Sequence, residues 1–121
     1  MATGFDTQSS DGPSFSGDRP RLDIDVGPHD LGALVRVSGE LDFSNAHRLL
    51  EAIGAVELNG RREVVLDLTR LTFCDARGLS VVLSADRLVR AEGGRLSIRG
   101  AAGLPRRLFD LVGVDQALDL E

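Results

Sequence analysis

Residues 64–83 read VVLDLTRLTFCDARGLSVVL, and the order of events in this stretch decides the fold. Glu63 to Leu68 (EVVLDL) is a short, nearly continuous apolar run, the pattern of a strand covered on both faces in a parallel sheet. From about Ala76 to Glu92 the spacing becomes helical, and Gly93-Gly94 supplies a C-terminal stop. Asp75 stands at the junction, where a carboxylate can accept backbone N–H groups two or three residues on. Ala76 and Arg77 then fall in the first turn of the helix, and Gly78 leaves room for another backbone or a ligand to approach. In an α/β sheet, functional groups collect at the edge where a strand hands over to a helix.

Working outward, LDIDV sets Leu22, Ile24 and Val26 against Asp23 and Asp25, the period-two signature of a half-buried strand. Gly27-Pro28-His29-Asp30 has turn chemistry. A second alternating run follows, with Ala33, Val35 and Val37 on one face and Leu34, Arg36 and Ser38 on the other, so the two strands are expected to pair antiparallel. After Gly39-Glu40-Leu41-Asp42, a helix capped by Ser44 or Asn45 presents Ala46, Leu49, Leu50 and Ile53 as one stripe. Asn59-Gly60 reads as a turn. Downstream, RLSIR is a fourth strand, and Leu104, Leu108, Leu111 and Val112 mark a third helix with Pro105 in its first turn. Val114 to Leu120 closes the chain as a short strand. The order β-β-α-β-α-β-α-β predicts an α/β fold: a mixed sheet, its first two strands antiparallel and the later ones parallel.

Residues 1–20 differ in kind. MATGFDTQSSDGPSFSGDRP has no period and too few apolar groups to offset the entropy of ordering, so it is expected to be a flexible tail. Residues 21–121 are then the one folded domain, in keeping with a chain of 121 residues.

Composition narrows the function classes. The net charge is −5, all 14 basic residues are arginines, and they form no stripe that would neutralise a phosphate backbone. Nucleic acid is therefore not an expected partner. No apolar run approaches the roughly 20 residues of a membrane helix, and the N-terminus lacks a basic segment followed by an apolar one. Cys74 is the sole cysteine, which rules out an internal disulfide or a cysteine metal cage; it reads as a buried, inert thiol. These features point to the cytoplasm, with neither metal nor cofactor. No hydrolytic triad or phosphate-cradling glycine pattern is present. His47, Arg87 and Arg90 read as solvated helix surface.

Arg77 breaks a local rule. A cation in a first helical turn opposes the helix dipole by roughly 0.3–1 kcal/mol, and such a breach is a hint of function.

The segment Leu71-Thr72-Phe73-Cys74-Asp75-Ala76-Arg77-Gly78-Leu79 resembles the loop of STAS domains in anti-sigma factor antagonists, which typically reads Asp-Ser-Ser/Thr-Gly-Leu. Ser38-Gly39-Glu40-Leu41-Asp42 is similar to the family's Gly-Glu-Leu-Asp turn, and the run from Arg106 to Val114 (RRLFDLVGV) to its last helix. The likeness extends from Leu22 to Glu121. It implies a STAS fold with about three to four helices, mainly on one face of the sheet. It also implies a non-enzymatic partner switch, in which the domain binds an anti-sigma factor of the serine-kinase type and so releases a sigma factor. In the family, the kinase phosphorylates the Ser or Thr just before the loop glycine, and the added charge breaks the complex. Here that position is Arg77, preceded by Ala76, and neither can form a phosphoryl ester.

By this resemblance the partner-binding residues are Asp42, Asp75, Ala76, Arg77, Gly78 and Leu79. Two alternatives stand beside it. Phosphorylation could have moved to Thr72 or Ser80, as in a STAS signalling relay. Or Asp67, at the end of VVLDL, could act as an acceptor like that of receiver domains, although the chain has no lysine to complete such a site.

Overall fold

The third strand is the spine of the sheet, and it runs further than the sequence pattern predicts. The computed structural model describes residues 22–30, 32–56, 62–111, 113 and 119–120. In chain order the elements are β1 (Leu22–His29), β2 (Gly32–Leu41), α1 (Ala46–Gly54), β3 (Glu63–Cys74), α2 (Ala76–Ala91), β4 (Arg95–Arg99), α3 (Gly103–Leu111) and β5 (Asp119–Leu120). They form one five-stranded sheet in the order β1-β2-β3-β4-β5. β1 pairs with β2 antiparallel and the remaining neighbours are parallel. The expected element order and sheet type are both observed. The expected tail, the Asn59-Gly60 turn, Val112 and residues 114–118 of the expected last strand lie outside the described residues.

Strand β3 continues past Leu68 because it bulges. Its inward residues are Val64, Leu66 and Leu68, then Leu71 and Cys74, so the spacing opens from two to three. The register against β2 slips between Arg36 and Ser38 and again between Gly39 and Glu40. Each slip inserts one extra residue on β3 and returns the next apolar side chain to the core. A strict alternation rule stops at the first slip, which is why the sequence reading ended the strand at Leu68.

Strand β1 also outruns its prediction. Gly27, Pro28 and His29 were expected in a turn, yet they pair with Leu34, Ala33 and Gly32. Proline is tolerated there because β1 is an edge strand, where its missing N–H leaves no ladder bond broken.

Connections β2-α1-β3 and β3-α2-β4 both join adjacent parallel strands in the same direction. With right-handed crossovers, α1 and α2 therefore fall on one face of the sheet, and the two helices pack against each other. Their stripes, including Leu49 and Ile53 of α1 and Val82 and Ala85 of α2, close over Val35, Leu66 and Ile98. Burying one such side chain is worth about 1.5–3 kcal/mol, whereas an exposed ion pair such as Asp25–Arg36 at 3.7 Å contributes about 0–1 kcal/mol. The apolar layer therefore holds the fold together.

Helix α3 turns inward only part of the expected stripe: Leu108 packs partly buried against the core. Pro105 and Phe109 are buried, while Leu104 and Leu111 are 54% and 83% exposed. Two overlapping stripes exist in this short helix, and the one carrying the aromatic ring wins the core. At the end of α2, Gly93 adopts φ +83 and its N–H bonds Arg90 O at 3.0 Å, while Gly94 N–H reaches Val89 O at 2.9 Å. This is the glycine stop that the sequence predicts.

Candidate functional site

Beyond Asp67 and Arg99, where β4 ends, β2 and β3 continue side by side to Leu41 and Cys74, with β1 alongside β2 as far as Gly39. Asp42 and Asp75 follow at the tips of these two strands, so the ribbon carries its loops past the end of β4.

Asp75 is the hub of this edge. Its Oδ1 accepts the Gly78 N–H at 2.8 Å, the cap expected from the sequence. Its Oδ2 accepts the Phe43 N–H at 2.9 Å, which ties the loop after β2 to the start of α2. The Asp75 N–H in turn bonds Leu41 O at 3.2 Å. Asp42 is engaged through one oxygen: its Oδ1 accepts the Ser44 N–H at 2.9 Å and the Ser44 hydroxyl at 2.6 Å. The cap expected from Ser44 or Asn45 is not made. Asn45 occupies the cap position but its side chain bonds backward, accepting Asp42 N–H at 2.9 Å and donating to Glu40 O at 3.0 Å. Asn45 therefore locks the turn that precedes the helix.

Gly78 is buried for a reason that the structure makes plain. A Cβ there would lie 2.9 Å from both Leu41 O and Cys74 Sγ, so glycine is what lets α2 start hard against the ends of β2 and β3. Leu79 is buried in the core beside it. Of the six expected binding residues, Ala76 and Arg77 are exposed, Asp42 and Asp75 are half-buried, and Gly78 and Leu79 are covered. All six belong to this one edge. The Arg77 side chain makes no ion pair or hydrogen bond among the described residues.

Two exposed aromatic residues were not singled out from the sequence. Phe43 is 79% exposed and Phe73 37% exposed. A phenylalanine directly after the Gly-Glu-Leu-Asp turn, outside any apolar stripe, is a signal for the first. The second becomes visible once Cys74 is known to face inward, since neighbouring strand residues face opposite ways.

Cys74 is buried, as expected. Burial, with a smaller push from the Asp75 charge, raises its pKa to about 12, and its Sγ donates to Asp75 O at 3.4 Å. His47, Arg87 and Arg90 are exposed on their helices. Thr72 and Ser80 are exposed as well, and the Thr72 hydroxyl donates to Gly39 O at 3.0 Å.

Asp67 does not stand at a strand end. It lies within β3 on the sheet face opposite the Leu66–Leu68 core positions, at a shallow depression of about 500 Å³ that Asp23, Asp25 and Arg36 also line. Its Oδ1 accepts the Thr69 N–H at 2.9 Å and the Thr69 hydroxyl at 2.5 Å, and its Oδ2 lies 3.7 Å from Arg99. Burial pushes its pKa up, but the Thr69 hydrogen bonds and the Arg99 and Arg36 charges outweigh it, and the net shift is downward. Among the described residues no group of three or more His, Cys, Asp or Glu is arranged to hold a metal ion. Nor, among them, is any helix long and apolar enough to cross a membrane.

Residues 24–120 match the family described as "Mlab, STAS domain". The chain is similar to an anti-sigma F factor antagonist of Paenibacillus polymyxa, 30% identical over 94 residues that cover 77% of this chain and 80% of the relative. An anti-sigma-B factor antagonist of Bacillus subtilis is 25% identical over 99 residues, covering 82% of this chain and 90% of that one. Among solved structures, an anti-sigma factor antagonist from Mycobacterium paratuberculosis matches with a TM-score of 0.73 at 30% identity, over 83% of this chain and 85% of the other.

Proposed function

The chain belongs to the STAS domain family, and on that premise we propose that it is an anti-sigma factor antagonist acting by protein–protein binding at the Asp42–Asp75 edge. The observation that supports this most is the match to a named antagonist over 80% of that relative's length, so the likeness spans nearly a whole antagonist. The work is stoichiometric binding in the bacterial cytoplasm: the domain occupies an anti-sigma factor, and the sigma factor is released.

The finer reading concerns control. Arg77 occupies the position that the resemblance assigns to the phosphoacceptor, and an arginine offers no hydroxyl. The complex would therefore form without a serine-phosphorylation switch at this loop. Binding should be measured directly, by titrating the purified protein against each purified anti-sigma factor of its host. A stable one-to-one complex with at least one of them, displacing its sigma factor, is expected; no complex with any of them refutes the reading.

Thr72 and Ser80 provide the second reading, because both hydroxyl residues are exposed beside the loop. Phosphopeptide mapping after incubation with a bound kinase-type partner and ATP separates the two: a modified Thr72 or Ser80 supports a relocated switch. Asp67 has less to support it, since its carboxylate is held by Thr69 and faces Arg99.

A further inference from the structure

Of the two carboxylates that the family resemblance assigns to binding, Asp75 is spent within the molecule and Asp42 is engaged through one oxygen. Asp75 uses one oxygen on Gly78 N–H and the other on Phe43 N–H, and an Asp42 oxygen holds Ser44. What this edge leaves for a partner is of a different chemistry. Phe43 projects its ring into solvent at 79% exposure, from a backbone fastened to Asp75. Phe73 sits two residues before Asp75, 37% exposed. Arg77 sits two residues after it, exposed and without an ionic partner among the described residues.

From this we infer that Phe43 and Arg77, flanked by Phe73, are the binding determinants of the edge, and that they select a partner surface with an apolar recess beside an Asp or Glu side chain. The inference rests on the antagonist reading and names the chemistry that the anti-sigma factor must present.

Three physical arguments converge on that chemistry. Aromatic side chains and arginine dominate the energetics of protein interfaces, because they bury large areas and form strong charge-assisted bonds once water is excluded. Arg77 lies in the first turn of α2, where the helix dipole disfavours a cation, so a carboxylate brought against it would be attracted by both the guanidinium and the helix end. Finally, the Phe43 backbone is held by Asp75 and the turn before it by Asn45, so the anchor is positioned before the partner arrives. By contrast, the depression on the open sheet face is lined by charges of both signs, Asp23, Asp25 and Asp67 with Arg36 and Arg70. Two of its acids already face arginines at 3.7 Å, Asp25 beside Arg36 and Asp67 beside Arg99.

The test uses a purified anti-sigma factor that binds the wild-type protein, titrated by calorimetry against Phe43→Ser, Arg77→Gln, Arg77→Glu and a control, Arg87→Gln, further along α2. Circular dichroism and a denaturation curve for each variant confirm the fold, which substitution of such exposed residues should leave intact. Phe43→Ser and Arg77→Gln should each weaken binding by about tenfold or more, the scale of an interface anchor. Arg77→Glu should weaken it further and be rescued by reversing one partner carboxylate to arginine. Arg87→Gln should stay within about twofold. If either Phe43→Ser or Arg77→Gln binds as tightly as wild type, the inference is overturned while the antagonist reading stands. If the wild-type protein binds no anti-sigma factor, both fall together.

Discussion

One carboxylate joins Phe43 to Gly78 across the gap between the β2 and β3 loops: Asp75 accepts the N–H of the first at 2.9 Å and of the second at 2.8 Å. The same side chain thus caps α2 and fixes the turn that leads to α1. Loss of a helix cap costs about 0.5–2 kcal/mol and loss of a further hydrogen bond about 0.5–1.5 kcal/mol. Asp75→Ala should therefore lower unfolding free energy by about 1–3.5 kcal/mol in urea. Asp75→Asn keeps one acceptor oxygen but turns an NH2 donor toward the other N–H, so it should recover only part of that loss.

Gly78→Ala sets two effects against each other. Alanine is the better helix former by about 1 kcal/mol, but its methyl would press on Leu41 O and Cys74 Sγ at 2.9 Å. Overpacking at a site bounded by backbone costs about 1–3 kcal/mol, so net destabilisation is expected. Gly54→Ala is the contrast: its nearest new neighbour is Leu88 Cδ2 at 3.5 Å, and denaturation should show no loss or a small gain.

How much of this was legible in the sequence depends on whether local pattern or tertiary contact decides each feature. The Asp75 cap, the Gly93 stop and the inward face of β2 follow from local chemistry and were readable. The far half of β3 was not, because Leu71 and Cys74 return to the core only through bulges set by pairing with β2. In α3 the helix and Leu108 were legible, but the exposure of Leu104 and Leu111 was not, because packing seats Phe109 in the core instead. At the site, the residue types at the loop were legible, but not their state. The second use of Asp75, on the Phe43 N–H 32 residues away, follows from how the two loops meet and from no local pattern.

Asp67 should make stability depend on pH in acid. Its pKa is lowered on folding, so the native state binds that proton less readily than the unfolded chain. Its stabilising contribution is then fully present above the ordinary value of 3.8 and lost as pH falls through the lowered folded value. Asp67→Asn should accordingly be less stable than wild type at pH 7, with the gap closing in strong acid. Denaturant melts across that range measure it, and a gap that widens toward low pH would contradict the assignment.

Cys74 should be silent toward thiol reagents in the native protein. With its pKa near 12, roughly one thiol in ten thousand is ionised at pH 8, and the sulfur is buried besides. Iodoacetamide labelling followed by mass spectrometry should track unfolding by urea, with no fast native phase.

Whether this domain holds its partner without a serine switch at the loop is tested most directly by Arg77→Ser. Wild type and variant should be incubated with a cognate kinase-type anti-sigma factor, with and without ATP, and scored for phosphate and for complex. The wild-type complex should survive ATP unmodified, while the Arg77→Ser protein, bound more weakly from the start, takes up phosphate at residue 77 and is released only when ATP is present. A wild-type protein that is phosphorylated and released by ATP would contradict the claim.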